Sequence, residues 1–156
     1  MKQLILTTLV LLAGVTVAHD GGHGPKLIDT PKQGGKVAPV IASADSGKGA
    51  KADLIYKSEL VREEDGTVKV YLYDKEMNPL SEAKLSKFTK SAMATVEHVK
   101  KGKIAKTTRF SLELKGDSFT GKIGDMPKTP TFNIDVKIQE SGSELLVAFD
   151  GLETKS

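Results

Sequence analysis

Apolar and polar residues alternate with a period of two along most of the chain beyond residue 52, most cleanly in the stretch Thr-Val-Lys-Val-Tyr-Leu-Tyr at 67–73. Val68, Val70 and Leu72 fall on one face and Lys69, Tyr71 and Tyr73 on the other, the pattern of a strand with one buried side. Asp65-Gly66 before it and Asn78-Pro79 after it supply turn chemistry, glycine by accepting positive φ and proline by fixing φ and being unable to extend a ladder. The same alternation predicts strands at 53–61, 67–74, 92–99, 106–114, 118–123, 132–138 and 144–149. Lys115-Gly116-Asp117 reads as a hairpin, and Pro127 and Pro130 mark a longer loop. Between the second and third strands, Leu80, Leu85 and Phe88 are spaced for a single helical turn that lowers apolar groups onto the core.

Seven strands at this spacing, with no helix long enough for a parallel crossover, predict an all-β fold: an immunoglobulin-like antiparallel β-sandwich, with a small open barrel as the alternative. Its inter-sheet core is predicted to contain Val70, Leu72, Phe110, Leu112, Ile134, Val136 and Val147.

The first residues follow a different pattern. Lys2 precedes an apolar run from Leu4 to Val15, and Thr16-Val17-Ala18 offers small residues for cleavage, so 1–18 reads as a secretory signal peptide. The run is shorter than the roughly 20 residues that span a bilayer, and no basic stop-transfer cluster follows it. With no cysteine in the chain, neither lipid attachment nor a disulfide framework is available. The expected product is a periplasmic, soluble monomer without membrane insertion. Residues 19–52 are rich in Gly, Lys and small residues and read as a flexible leader, in which 36–41 contains Val37, Val40 and Ile41 and is able to add a short edge strand. The sandwich domain is expected over 53–152, with a tail at 153–156.

Charge changes this picture little. Residues 1–18 hold one lysine and no acid, so the processed chain carries 22 Lys plus Arg against 20 Asp plus Glu, a formal charge of +2. Lys100, Lys101, Lys103 and Lys106 are scattered at turns and polar strand faces rather than along an aromatic groove, which excludes a nucleic-acid partner from the expectations. Catalytic signatures are also missing: there is no Gly-x-Ser-x-Gly elbow, no His-Glu-x-x-His helix and no cysteine nucleophile. An enzyme is not expected. Tyr71 and Tyr73 share a strand face and offer at most a small binding patch.

Histidine carries the remaining chemistry. Cleavage after Ala18 exposes His19, whose amine and imidazole Nδ1 form one chelate, and Asp20 and His23 lie across the pliant Gly21-Gly22 to complete it. Imidazole, amine and carboxylate suit Cu(II), Ni(II) or Zn(II), with copper favoured by the usual affinity order. His98, at the end of the third predicted strand, is a further ligand if the leader folds back onto that edge. The bland alternatives are a hydrophilic leader in which histidine is incidental and a partly exposed strand-end residue at 98.

The order of His19 and His23, Gly34-Gly35-Lys36-Val37, Leu60-Val61, Asp65-Gly66-Thr67, Tyr71-Leu72-Tyr73-Asp74 and Asn78-Pro79-Leu80 resembles small periplasmic proteins that accompany bacterial heavy-metal efflux. In outline it is also similar to periplasmic copper carriers of the CopC type, which begin with a histidine on an immunoglobulin-like sandwich. That resemblance implies His19 as a ligand and a metal-efflux protein as partner. The Asp-x-His element and methionine clusters of such carriers have no counterpart, since the late histidine stands in Glu97-His98-Val99 and Met77, Met93 and Met126 are isolated. Two readings follow: an exported accessory protein that binds or buffers a transition metal, and a non-metal envelope module that binds another protein through a sheet face or edge.

The metal reading makes a measurable prediction. Mass spectrometry of the exported chain is expected to find His19 at its N-terminus. Cu(II) affinity is then expected to fall steeply below about pH 6, because imidazole and terminal amine titrate near about 6.5 and about 7.7 to 8.0 and must lose their protons to bind. Replacing His19 and His23 by Ala is expected to abolish that affinity while leaving the melting temperature unchanged.

Overall fold

In the computed structural model, residues 23–124 and 131–153 are described. The expected signal peptide and the positions His19 and Asp20 lie outside them. Eight strands form in chain order: β1 (Lys36–Ala42), β2 (Tyr56–Arg62), β3 (Thr67–Tyr73), β4 (Ser91–Lys100), β5 (Lys103–Lys115), β6 (Ser118–Lys122), β7 (Thr131–Glu140) and β8 (Ser143–Glu153). They close into one antiparallel barrel in the order β1-β2-β3-β6-β5-β4-β7-β8.

This corrects the expected seven-stranded immunoglobulin-like sandwich. The eighth strand comes from the segment read as flexible leader: β1 pairs with β2 from Lys36↔Leu60 to Val40↔Tyr56 and with β8 from Val40↔Val147 to Ala42↔Leu145. A strand bonded on both sides cannot be an edge, and by joining β2 to β8 it turns an open sheet into a ring. Alternation reports that one face is buried without reporting against what, so sandwich and barrel look alike along the sequence. The wall therefore starts at Lys36 rather than near Asp53, and Ser43–Lys51 is a 3₁₀ segment lying outside the barrel. Under that segment Ile41, Ala52 and Leu146 form a small outer cluster.

Inside the barrel, side chains from every strand meet in one cluster that includes Val40, Leu60, Val70, Leu112, Phe119, Ile134, Val136, Val147 and Phe149. Eight strands leave an interior just wide enough for side chains to fill, which is why one contiguous core suffices without disulfides. Six of the seven predicted core residues are fully enclosed or nearly so, and Phe110 is packed against the cluster from a half-buried position.

The tight hairpins follow turn chemistry. Lys101-Gly102 between β4 and β5 and Ser141-Gly142 between β7 and β8 all take positive φ, as two-residue type I′ loops require. One end of the barrel is plugged by α1 (Glu82–Leu85), capped by the Ser81 hydroxyl, which accepts from the Lys84 N–H. Leu85 and Phe88 enter the core there, as their spacing predicts, and Phe88 stacks edge-on against Phe119 with centroids 6.5 Å apart. Backbone bonds from Thr89 to Gln139 and from Ser141 to Lys87 fasten the plug to β7 and its turn.

Truncating Leu112 or Ile134 to Ala is expected to cost about 2 to 5 kcal/mol each, because both are fully enclosed and a closed ring has little freedom to collapse around the void. Denaturant unfolding followed by far-UV circular dichroism measures this, and midpoints unmoved by both changes would overturn the inner-face assignment.

Candidate functional site

Along β2 both faces are buried, which one half-solvated sheet would not produce. Tyr56, Ser58 and Leu60 point into the barrel, so Lys57 and Glu59 point outward, yet Glu59 has no solvent exposure at all. The chain before β1 covers it. Glu59 accepts backbone N–H groups from Lys32 (2.8 Å), Gln33 (2.8 Å) and Gly35 (2.7 Å), and the Tyr73 hydroxyl donates to it at 3.2 Å. Lys57 reaches the same segment through Asp29 at 2.6 Å. Gly34 takes positive φ (74°), and a Cβ on Gly35 would lie 2.2 Å from the Leu60 carbonyl oxygen. Gly35 thus serves close approach to β2, and Gly34 the positive φ of the turn before it. Burial, followed by the Glu59 charge, pushes the Tyr73 phenol up to about 12.

This cover decides the fate of the tyrosine patch. Tyr73 is 2% exposed beneath the segment, and Tyr71 is half-buried beside it. The cleft between Gln33, Tyr71, Tyr73, Pro79 and Asp117 holds about 30 Å³, room for a water rather than a ligand.

The histidines are not brought together. His23 is half-buried, with Nδ1 3.2 Å from the Ser46 carbonyl oxygen of the 3₁₀ segment, a contact that puts the proton on Nδ1. His98 shares the parity of Ala92, Ala94 and Val96 on β4 and so points into the barrel, 7% exposed. The two stand on different sides of the barrel wall. Among the described residues there is no group of three or more His, Asp or Glu able to hold a metal ion. The described residues do not bring His98 to His23: the leader from residue 23 onward lies on the outer wall and strand alternation turns His98 inward, while His19 and Asp20 lie outside the described residues.

Opposite the α1 plug the wall is incomplete. β5 pairs with β4 from Lys103 to Glu113, with a register shift at Ala105, but with β6 only at Glu113↔Thr120, Leu114↔Phe119 and Lys115↔Ser118. From Lys103 to Phe110 its other edge has no strand beside it among the described residues. Both faces of 103–107 are exposed, so the start of β5, with Lys100 and the Lys101-Gly102 turn, stands out from the wall as a short ribbon, while β4 beside it stays bonded to β7 as far as Val99. Lys100, Lys101, Lys103 and Arg109 give the ribbon a positive field, and Ile104 stands 50% exposed on it. Gly121 marks where β6 leaves off, its Cα so close to β5 that a Cβ would lie 2.4 Å from the Ser111 carbonyl oxygen. Sequence reading missed this edge because pattern shows which way side chains point, not whether a backbone has a neighbour.

The chain matches no protein-family model, no curated protein and no solved structure.

The Tyr73 shift gives a signed prediction. The phenol titrates near 10.0 when exposed and near 12 in the fold, so its stabilising contribution is fully present below pH 10 and is lost as pH rises toward 12. Tyr73→Phe is expected to flatten that part of the alkaline stability curve. In an ultraviolet titration of the folded protein, Glu59→Gln is expected to lower the late phenol toward its ordinary value, burial alone remaining to hold it up.

Proposed function

We propose that this chain is an exported accessory module that binds an extended, acidic segment of another envelope protein by adding it as a strand to the open edge of β5. The carrying observation is the unequal pairing of β5 among the described residues, with β4 from Lys103 to Glu113 on one side and with β6 only at Glu113, Leu114 and Lys115 on the other. An edge of this length offers a ladder of backbone donors and acceptors to an incoming strand, while alternate side chains set the choice of partner. The cationic ribbon selects that partner. A second copy of β5 would set lysine against lysine, an unfavourable cross-strand pairing, whereas a strand carrying Glu or Asp at alternate positions meets Lys103 and Arg109 with opposite sign. The same charges that discourage self-association therefore favour one class of occupant. Export is supported by the apolar run of residues 4–15 behind Lys2. The transition-metal reading rests on His19, Asp20 and His23 of the sequence and is independent of this edge.

Backbone hydrogen exchange tests the proposal. A synthetic extended peptide of alternating Val and Glu is expected to protect amides within 103–110, and its Val-Lys counterpart is expected to leave them exchanging. Reversing charge with Lys103→Glu and Arg109→Glu is expected to weaken the acidic peptide on the order of tenfold at low salt. Amides already protected on both sides in the free protein, or equal protection by the two peptides, would refute strand addition at this edge.

A further inference from the structure

The end of the barrel opposite α1 contains a second feature that strand addition does not use. Arg62 ends β2 on the inner face, opposite Val68 of β3, and its side chain crosses the barrel mouth. Its Nη2 donates to the Glu153 carbonyl at the end of β8 (2.5 Å), and its guanidinium carbon lies 5.0 Å from the centre of the Phe132 ring. His98 of β4 is the cross-strand partner of that same Phe132 in β7. Directly opposed residues share a sheet face, so the Arg62 guanidinium and the His98 imidazole both neighbour Phe132.

Neither group is satisfied. Among the described residues Arg62 Nη1 and His98 Nε2 are both buried without a hydrogen-bond partner, as is the Ser58 hydroxyl deeper in the barrel. Buried polar atoms are paired in the great majority of cases, and each left unpaired costs about 1 to 3 kcal/mol. Two around one ring, at the end that lacks the α1 plug, mark a place prepared for something else. Burial lowers the Arg62 pKa, with no carboxylate acting against it. The missing partner is therefore an acceptor. A metal ion does not fit, because a guanidinium, which keeps its charge, stands beside the only imidazole and would repel it.

We infer that the mouth of the barrel binds a small oxyanion, the carboxylate or phosphate group of a small molecule, between Arg62 Nη1 and His98 Nε2 with Phe132 as its floor. Guanidinium N–H groups match planar carboxylate and phosphate oxygens, and an imidazole nitrogen adds one more donor. Barrel mouths are a recurrent place for such sites, where a few convergent polar groups stand over an apolar base.

The test is a nuclear magnetic resonance titration of the processed chain at fixed pH, reading the ring nitrogens of His98. Acetate and inorganic phosphate are added in separate arms, with sodium chloride holding ionic strength constant. A saturable shift with a dissociation constant of about 1 mM or tighter in either arm is expected, and the tighter arm identifies which oxyanion the site prefers. Arg62→Gln is expected to weaken it on the order of tenfold while far-UV circular dichroism stays unchanged. Shifts that stay linear in both arms and match those from chloride would overturn the inference, as would saturable binding undiminished in a folded Arg62→Gln protein. Should that variant not fold, the wild-type titration alone decides.

Discussion

The barrel depends on one carboxylate that is nowhere near its core. Glu59 stands on the outer face of β2, fully enclosed, and draws three backbone N–H groups of residues 32–35 onto the wall. Burying a carboxylate costs several kcal/mol, and only a full set of donors offsets it; three charge-assisted bonds of about 1.5 to 3 kcal/mol each, with the Tyr73 hydroxyl as a fourth, are such a set. The consequence reaches beyond the contact. Lys36 begins β1 one residue after the last of these donors, so the direction in which β1 leaves is fixed by where Glu59 holds the turn. Since β1 alone joins β2 to β8, the closure of the ring and the anchoring of the leader are linked.

That dependence explains why the strands were legible in the sequence and the architecture was not. Period-two alternation identifies Val68, Val70 and Leu72, or Ile134 and Val136, as inward because each strand carries its own record of which face is buried. Closure carries no such record. β1 reads Lys-Val-Ala-Pro-Val-Ile-Ala, with a proline and two alanines where a longer apolar run would have announced a strand. Its place comes from partners more than a hundred residues away in β8 and from a glutamate whose outward parity looks like that of any solvated residue. Gly34-Gly35 looks like punctuation for the same reason: composition cannot distinguish a glycine that bends freely from one that must let a carbonyl approach.

The candidate site divides in a similar way. His98 was readable as inward, since it continues the parity of Ala92, Ala94 and Val96, but its polar character drew it toward the surface in a reading guided by residue type. Arg62 shares the parity of Leu60 and lies one residue beyond the strand predicted over 53–61. Their convergence on Phe132 depends on β4, β7 and β2 being brought around one ring, which no local pattern encodes. The open edge of β5 is hidden more deeply, because Phe110, Leu112 and Leu114 alternate as regularly where β6 has ended as where it is paired.

The two ends of the ring differ for a physical reason, and the difference locates the chemistry. At the α1 end, Tyr56, Phe88 and Phe119 stack in succession, and the Tyr56 hydroxyl donates to Glu140 while Lys84 lies over its ring. At the other end β6 stops short of β5, and the inward residues Arg62 and His98 are polar where aliphatic side chains would have completed the core. Replacing them with apolar residues of similar size would remove two unsatisfied groups at little cost in packing. A fold held at one end by the α1 plug and along one wall by Glu59 can carry that imperfection, because neither support passes through the opposite end. The β5 ribbon and the Arg62–His98 pair, on which the two proposals rest, thus belong to the end of the barrel opposite the plug, the part least needed to keep it closed.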